Sequence, residues 1–152
     1  MTGPRSPKLR ETENKAWPMR YMLDTNICIY LLAGGWRHLE HRLAQLAVGD
    51  ALISAIVLGE LRAGVEKSST RWSDERALTA LMAELNVMPF DDAAAVSYGV
   101  LRAQVPSRQR NSLDRLIAAH ALSLDATLVT NNETDFEVYP GLRVENWAKS
   151  AS

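Results

Sequence analysis

Four acidic residues stand where their neighbours suit them to chemistry. Asp24 sits with Asn26 inside "RYMLDTNICIYLL", residues 20–32, an otherwise apolar run. An ionised carboxylate is costly to bury unless something cationic meets it. Glu60 lies in "AIVLGELRAG", Asp114 in "SLDRLIAAH", and Asp135 shortly after "TLVTNN". Each also has a plain structural explanation. Asp24 or Thr25 would cap a helix starting near Asn26. Asp114 in a helix's first turn complements the macrodipole. Glu60 reads equally as a surface residue and Asp135 as a turn acid. If the four met at one place they would repel one another, and a divalent cation is what reconciles such a group. Oxygen ligands alone point to Mg²⁺, with Mn²⁺ as a substitute, and away from zinc.

Other chemistries find less support. Cys28 is the only cysteine, which excludes an internal disulfide and a cysteine zinc site; in its apolar stretch it reads as a small core residue. His38 and His41 are three apart on a predicted helix, flanked by Glu40 and Arg42, and read as a solvated face. His120 is read as a structural histidine. Ser54 shows no histidine partner in the pattern, and no "GxSxG" occurs. "AGG" at 33–35 lacks the lysine and hydroxyl residue of a phosphate loop.

The elements that must position the acids follow from periodicity. "RYMLD", "DALIS", "NVMPF", "ATLVTN" and "LRVEN" read as short strands, the last at an edge. Between them "ICIYLLAG", "WRHLEHRLAQLA", "AIVLGELRAGVEKS", "SDERALTALMAEL" (capped by Ser73 or Asp74), "DDAAAVSYGVLRAQV" (ended by Pro106) and "SLDRLIAAHALSL" read as helices. Alternating strands and helices predict an α/β domain, with a mostly parallel five-stranded sheet and right-handed crossovers. In such a sheet the ligand crevice lies beyond the carboxyl ends of the strands. Asp24 closes the first strand, while Asn131, Asn132 and Asp135 follow the fourth. Glu60 lies in the first two turns of the helix after the second.

With 152 residues, 47% hydrophobic and 23% charged, one ordinary globular domain is expected. The net charge of −1 advertises no broad basic field, so a nucleic-acid partner would need a local patch. No apolar run reaches the length of a membrane span, and the lone cysteine suits a reducing cytoplasm. Residues 1–18, polar and holding Pro4, Pro7 and Pro18, read as a disordered extension. The fold is expected over 19–148, with Met19 as its start and 149–152 as a flexible tail.

With these segments in place the chain resembles the PIN-domain ribonucleases, and within them the VapC toxins of bacterial toxin–antitoxin pairs. Five motifs carry the likeness in order: "YMLDTNICIYLL", "ISAIVLGELRAGVEKS", "VMPFDDAAAVSYGVLRA", "LDRLIAAHALSLDATLVTNNETDF" and "PGLRVENW". They look most like the branch that cleaves initiator tRNA in the anticodon region. The resemblance implies a three-layer α/β/α fold and a Mg²⁺-dependent endoribonuclease that inhibits translation. Its acids would be Asp24, Glu60, Asp114 and Asp135, with Asn132 competing for the fourth position. It implies that Asn26, Ser54, Thr130, Asn131 and Asn132 flank the centre, as supports of the acids or as groups that orient the phosphate. It further implies a homodimer and a VapB-type antitoxin. One departure is visible: "RQRNSLD" replaces the family's "P-I-G-x-L-D", which puts the local loop shape in question.

Arg102, Arg108, Arg110 and Arg115, around the third acid, are the candidates for phosphate contacts; their plain reading is an ordinary solvated loop. Trp36 reads as a packing residue or as a base-stacking one. Two other functions compete with this one. A haloacid-dehalogenase-type phosphatase needs a second Asp two residues after the first, where Asn26 stands. A PIN module acting only in RNA binding or regulation would have lost the acids, which are present.

Overall fold

Strand β1 (Tyr21–Leu23) is buried along its whole length, as a strand covered on both faces must be. The structure, a computed structural model, describes residues 20–105 and 112–149. β2 (Ala51–Ser54) and β4 (Thr127–Val129) are equally buried, whereas β3 (Asn86–Met88) and β5 (Val144–Glu145) are more open. The sheet order is β3-β2-β1-β4-β5, and every described pairing is parallel. Met22 lies in register with Leu52 on one side and Leu128 on the other. From β1 the chain builds outward to β2 and β3, then returns to place β4 against the other side of β1. That reversal opens a crevice beyond the carboxyl ends of β1 and β4.

Helices α1 (Thr25–Ala33), α2 (Arg37–Ala44), α3 (Ala55–Glu66), α4 (Arg71–Met82), α5 (Asp92–Gln104) and α6 (Ser112–Ser123) follow the predicted order. The three-layer α/β/α architecture of a PIN fold is therefore observed. Helix α4 starts two residues before the predicted cap. Thr70 precedes it, and Ser68, Thr70, Ser73 and Asp74 satisfy one another across its first turn. Sequence periodicity missed α7 (Glu133–Phe136), a four-residue turn of helix. It is too short to show a repeat, and buried Phe136 anchors it.

The core lies on both sides of the sheet and is closed by Trp147, which is 1% exposed. Its ring meets Tyr21 at 5.0 Å and carries the Arg42 guanidinium at 4.5 Å, while its indole N–H donates to Glu145 at 2.8 Å. No helix among the described residues is long and apolar enough to cross a membrane. The expectations for residues 1–19, Pro106, Arg108, Arg110 and residues 150–152 concern positions outside the described residues.

Candidate active site

Asp24 leaves β1 and immediately caps α1, so the capping reading of it holds, at the strand end where the crevice opens. Its Oδ1 accepts from the Ile27 backbone N–H at 3.0 Å, and the Asn26 backbone N–H also bonds the carboxyl. Its other oxygen accepts a short hydrogen bond from the Thr130 hydroxyl, at the end of β4. The Asp24 N–H donates to Val129 O at 3.1 Å, tying the two strand ends together. Asp24 is 6% exposed, and burial pushes its proton affinity above the ordinary carboxyl range despite those three donors.

Asp114, half-buried in the first turn of α6, is pushed up to about 6. Burial is the largest cause, followed by the charges of Asp135 and Asp24. Three acids from β1, α6 and α7 thus share one electrostatic neighbourhood. Glu60 stands apart. It is exposed on α3 and lines a groove of about 340 Å³ with Ile29, Ala33, Leu61 and Asp74. Among the described residues, no three Asp, Glu, His or Cys side chains are set closely enough to hold a metal as they stand. The acids converge without forming a finished coordination shell.

The flanking polar residues divide. Thr130 is fully buried on Asp24 and also accepts from the Asn132 N–H at 3.0 Å. Asn131 donates to the Tyr30 hydroxyl at 3.1 Å and accepts from Asn146 at 3.1 Å. The side chains of Asn26 and Asn132 are exposed at the crevice. Tyr30 and Asn146 were missed by sequence reasoning; Tyr30 sat inside an apolar helical run and Asn146 in an edge strand, and neither position looks chemical in sequence.

For Ser54 the resemblance implied either support of the acids or orientation of the phosphate. Ser54 is fully buried, which bars it from a substrate phosphate. Its Oγ accepts from the Ile56 N–H at 3.0 Å, capping α3, and lies 2.8 Å from His120 Nδ1. The partner absent from the pattern is therefore 66 residues away. The imidazole also bonds the Pro89 backbone, which has only a carbonyl to offer, so the ring donates there. Burial lowers the proton affinity of His120, opposed by the charge of Asp91 and by the Pro89 bond. It is the structural histidine expected from sequence.

Arg115 is a correction. It is 2% exposed, with its charge acting on Tyr139, so it cannot form part of an RNA-facing surface patch. Arg102 is exposed on α5 and donates to the Tyr98 hydroxyl at 3.0 Å. Cys28 is fully buried, and burial, helped by the Asp24 charge, pushes its thiol up to about 12, in keeping with a core role.

The sequence and fold match known proteins. Residues 21–142 match the PIN domain family. Ribonuclease VapC2 of Rickettsia felis is 38% identical over 134 residues, 86% of this chain and all of the relative. The tRNA(fMet)-specific endonuclease VapC of Shigella flexneri is 35% identical over 132 residues, 86% of this chain and 99% of the relative. The crystal structure of VapBC2 from Rickettsia felis, bound to a DNA fragment from its promoter, superposes with a TM-score of 0.72 at 36% identity, covering 85% of this chain and 99% of the other. The chain belongs to the PIN-domain family, among its VapC ribonucleases.

Proposed function

We propose that this ribonuclease is a toxin that cuts tRNA endonucleolytically at the β1/β4 crevice, in a reaction that depends on Mg²⁺. The observation that carries the reading is the convergence of Asp24, Asp114 and Asp135 at the sheet's switch point, with Asp114 pushed to about 6. The donor set fits a hard divalent ion: all oxygen, partly buried, and mutually repulsive until a cation arrives. Asp24, Asp114 and Asp135 would hold it, with Glu60 as the fourth acid from α3. When bound, such an ion lowers the pKa of water and neutralises charge developing on the phosphate.

The protein's own part is to place its groups. Thr130 and the Ile27 and Asn26 N–H groups fix the Asp24 carboxylate in one orientation. Asn26 and Asn132, exposed beside it, are placed to orient a phosphate. The family chemistry leaves a 5′-phosphate and a 3′-hydroxyl, with no call on the substrate 2′-hydroxyl. Arg102, Arg108 and Arg110 are the remaining candidates for backbone contacts. Initiator tRNA is the favoured substrate because the Shigella flexneri relative bears that specificity in its name. A VapB-type antitoxin is the proposed partner, since the solved relative is a VapBC assembly on promoter DNA. A homodimer, inhibition of translation and action in the cytoplasm complete the reading.

The test is incubation of the purified chain with total tRNA and Mg²⁺, with and without EDTA. Cleavage that yields discrete fragments and stops with EDTA is the expected result. Binding without metal-dependent cleavage of any RNA would favour a module that only binds.

A further inference from the structure

Trp36 begins α2 at the end of a turn through Gly34 and Gly35, both at positive φ (80° and 91°). Glycine enters that backbone region without the steric penalty of a side chain, and the turn folds Trp36 back over α1. The Trp36 and Tyr30 rings stack with centroids 3.9 Å apart and planes 13° from parallel. Trp36 remains 36% exposed, unlike Trp147 at 1%, so it is no core anchor. Trp72 is more exposed still, at 85%, yet no ring contact orients it among the described residues. Among the described residues, Trp36 is therefore the open tryptophan held in a fixed plane.

That plane is tied to the acidic crevice. The Tyr30 hydroxyl accepts from Asn131, and Asn131 is held in turn by Asn146. Asn131 directly follows Thr130, whose hydroxyl fixes Asp24. Tyr30 lies six residues along from Asp24, about 9 Å of helix axis, and helical side chains lean back toward the N-terminus. Arg37, exposed beside Trp36, adds a cation at the same lip.

We propose that the Tyr30–Trp36 stack is a base platform, on which the RNA substrate seats one unpaired nucleobase within a few nucleotides of the scissile phosphate. Unpaired bases stack on aromatic faces with little regard to sequence, and a ring already held in place loses little entropy on binding. The proposal rests on cleavage at the acidic crevice and adds a specificity element that the acids do not supply: a preference for a single-stranded site.

The test is a double-mutant cycle on the full chain with Mg²⁺. Wild type, W36L and W36F cut an unpaired oligoribonucleotide whose bases are removed one at a time on either side of the cut. Removing the platform's base should lower wild-type kcat/KM by about 5–150-fold, the range expected of one stacked base. W36L should lose a similar factor on intact RNA, mainly in KM, and nothing further at that abasic position. W36F should retain most of the activity, and thermal melting should show W36L folded. If W36L cuts intact RNA like wild type, the ring serves another partner, such as a protein, and the proposal fails. Losses that multiply at every abasic position would also overturn it. Wild-type protein that cuts no RNA at all would instead overturn the crevice reading beneath it.

Discussion

At Asp24 one carboxylate does two jobs: one oxygen caps α1 and the other is gripped by Thr130. A bare acid in an apolar run was legible in sequence as a choice between a cap and a site; the geometry shows the cap, with the second oxygen held at the strand end by Thr130. Asp114 is the residue at which electrostatics makes the sharpest prediction. Its carboxyl holds a proton up to about 6 in the folded chain, against 3.8 ordinarily. Between those values the folded state binds more protons than the unfolded, so cation-free stability falls as pH rises through the window and stays low above it. D114N should therefore raise the melting temperature of the cation-free protein at pH 7.5 by a few degrees and leave it unchanged near pH 4. Mn²⁺ should then raise the melting temperature of wild type but not of D114N. A fall in melting temperature at both pH values would show that the carboxylate is held by partners rather than strained by neighbours. At subsaturating Mg²⁺, where protons compete with the cation for these carboxylates, activity should decline as pH drops through about 6.

Among the elements, α3 and α6 are joined by the Ser54–His120 bond, which no local pattern could reveal because the two residues meet only in the folded chain. Removing the Ser54 hydroxyl takes away a helix cap, at a cost of about 0.5–2 kcal/mol, and strips a buried imidazole of a partner, at a cost of about 1–3 kcal/mol. S54A should lower the melting temperature by roughly 5–10 °C, given a few degrees per kcal/mol for a domain of this size. His120 has a lowered proton affinity, so the unfolded state takes up the proton first and stability is lost as pH falls below about 6.5. H120N, whose side-chain amide occupies the Nδ1 position, should flatten that acid-side loss in thermal melts; an unchanged slope would assign the effect elsewhere. Strand and helix order was legible because buried strands read as short apolar runs and helices kept their period. The exceptions were local: the α4 start, where four polar side chains satisfy one another, and α7, a single turn held by Phe136.

For the whole molecule, a net charge of −1 means that no overall field draws in RNA. Sequence suggested a patch of four arginines beside Asp114, but Arg115 is buried, because the helix that presents Asp114 to the crevice turns the next residue into the core. The remaining contacts are few, so RNA affinity should depend only weakly on salt. A log–log slope of about −2 corresponds to three phosphates on a single strand, and a slope several times steeper would reveal a basic surface beyond these arginines. The acids at the switch point were legible because strand ends in a parallel sheet all face one crevice. The exposure of Glu60 was not, since helix position alone does not give side-chain direction. The decisive measurement compares RNA cleavage by wild type, D24N and D114N at saturating Mg²⁺, with melts confirming that all three are folded. Both variants should fall by at least about 100-fold, the lower bound for losing a positioned catalytic carboxylate. Wild-type rates from either folded variant would contradict the assignment of the crevice as the active site.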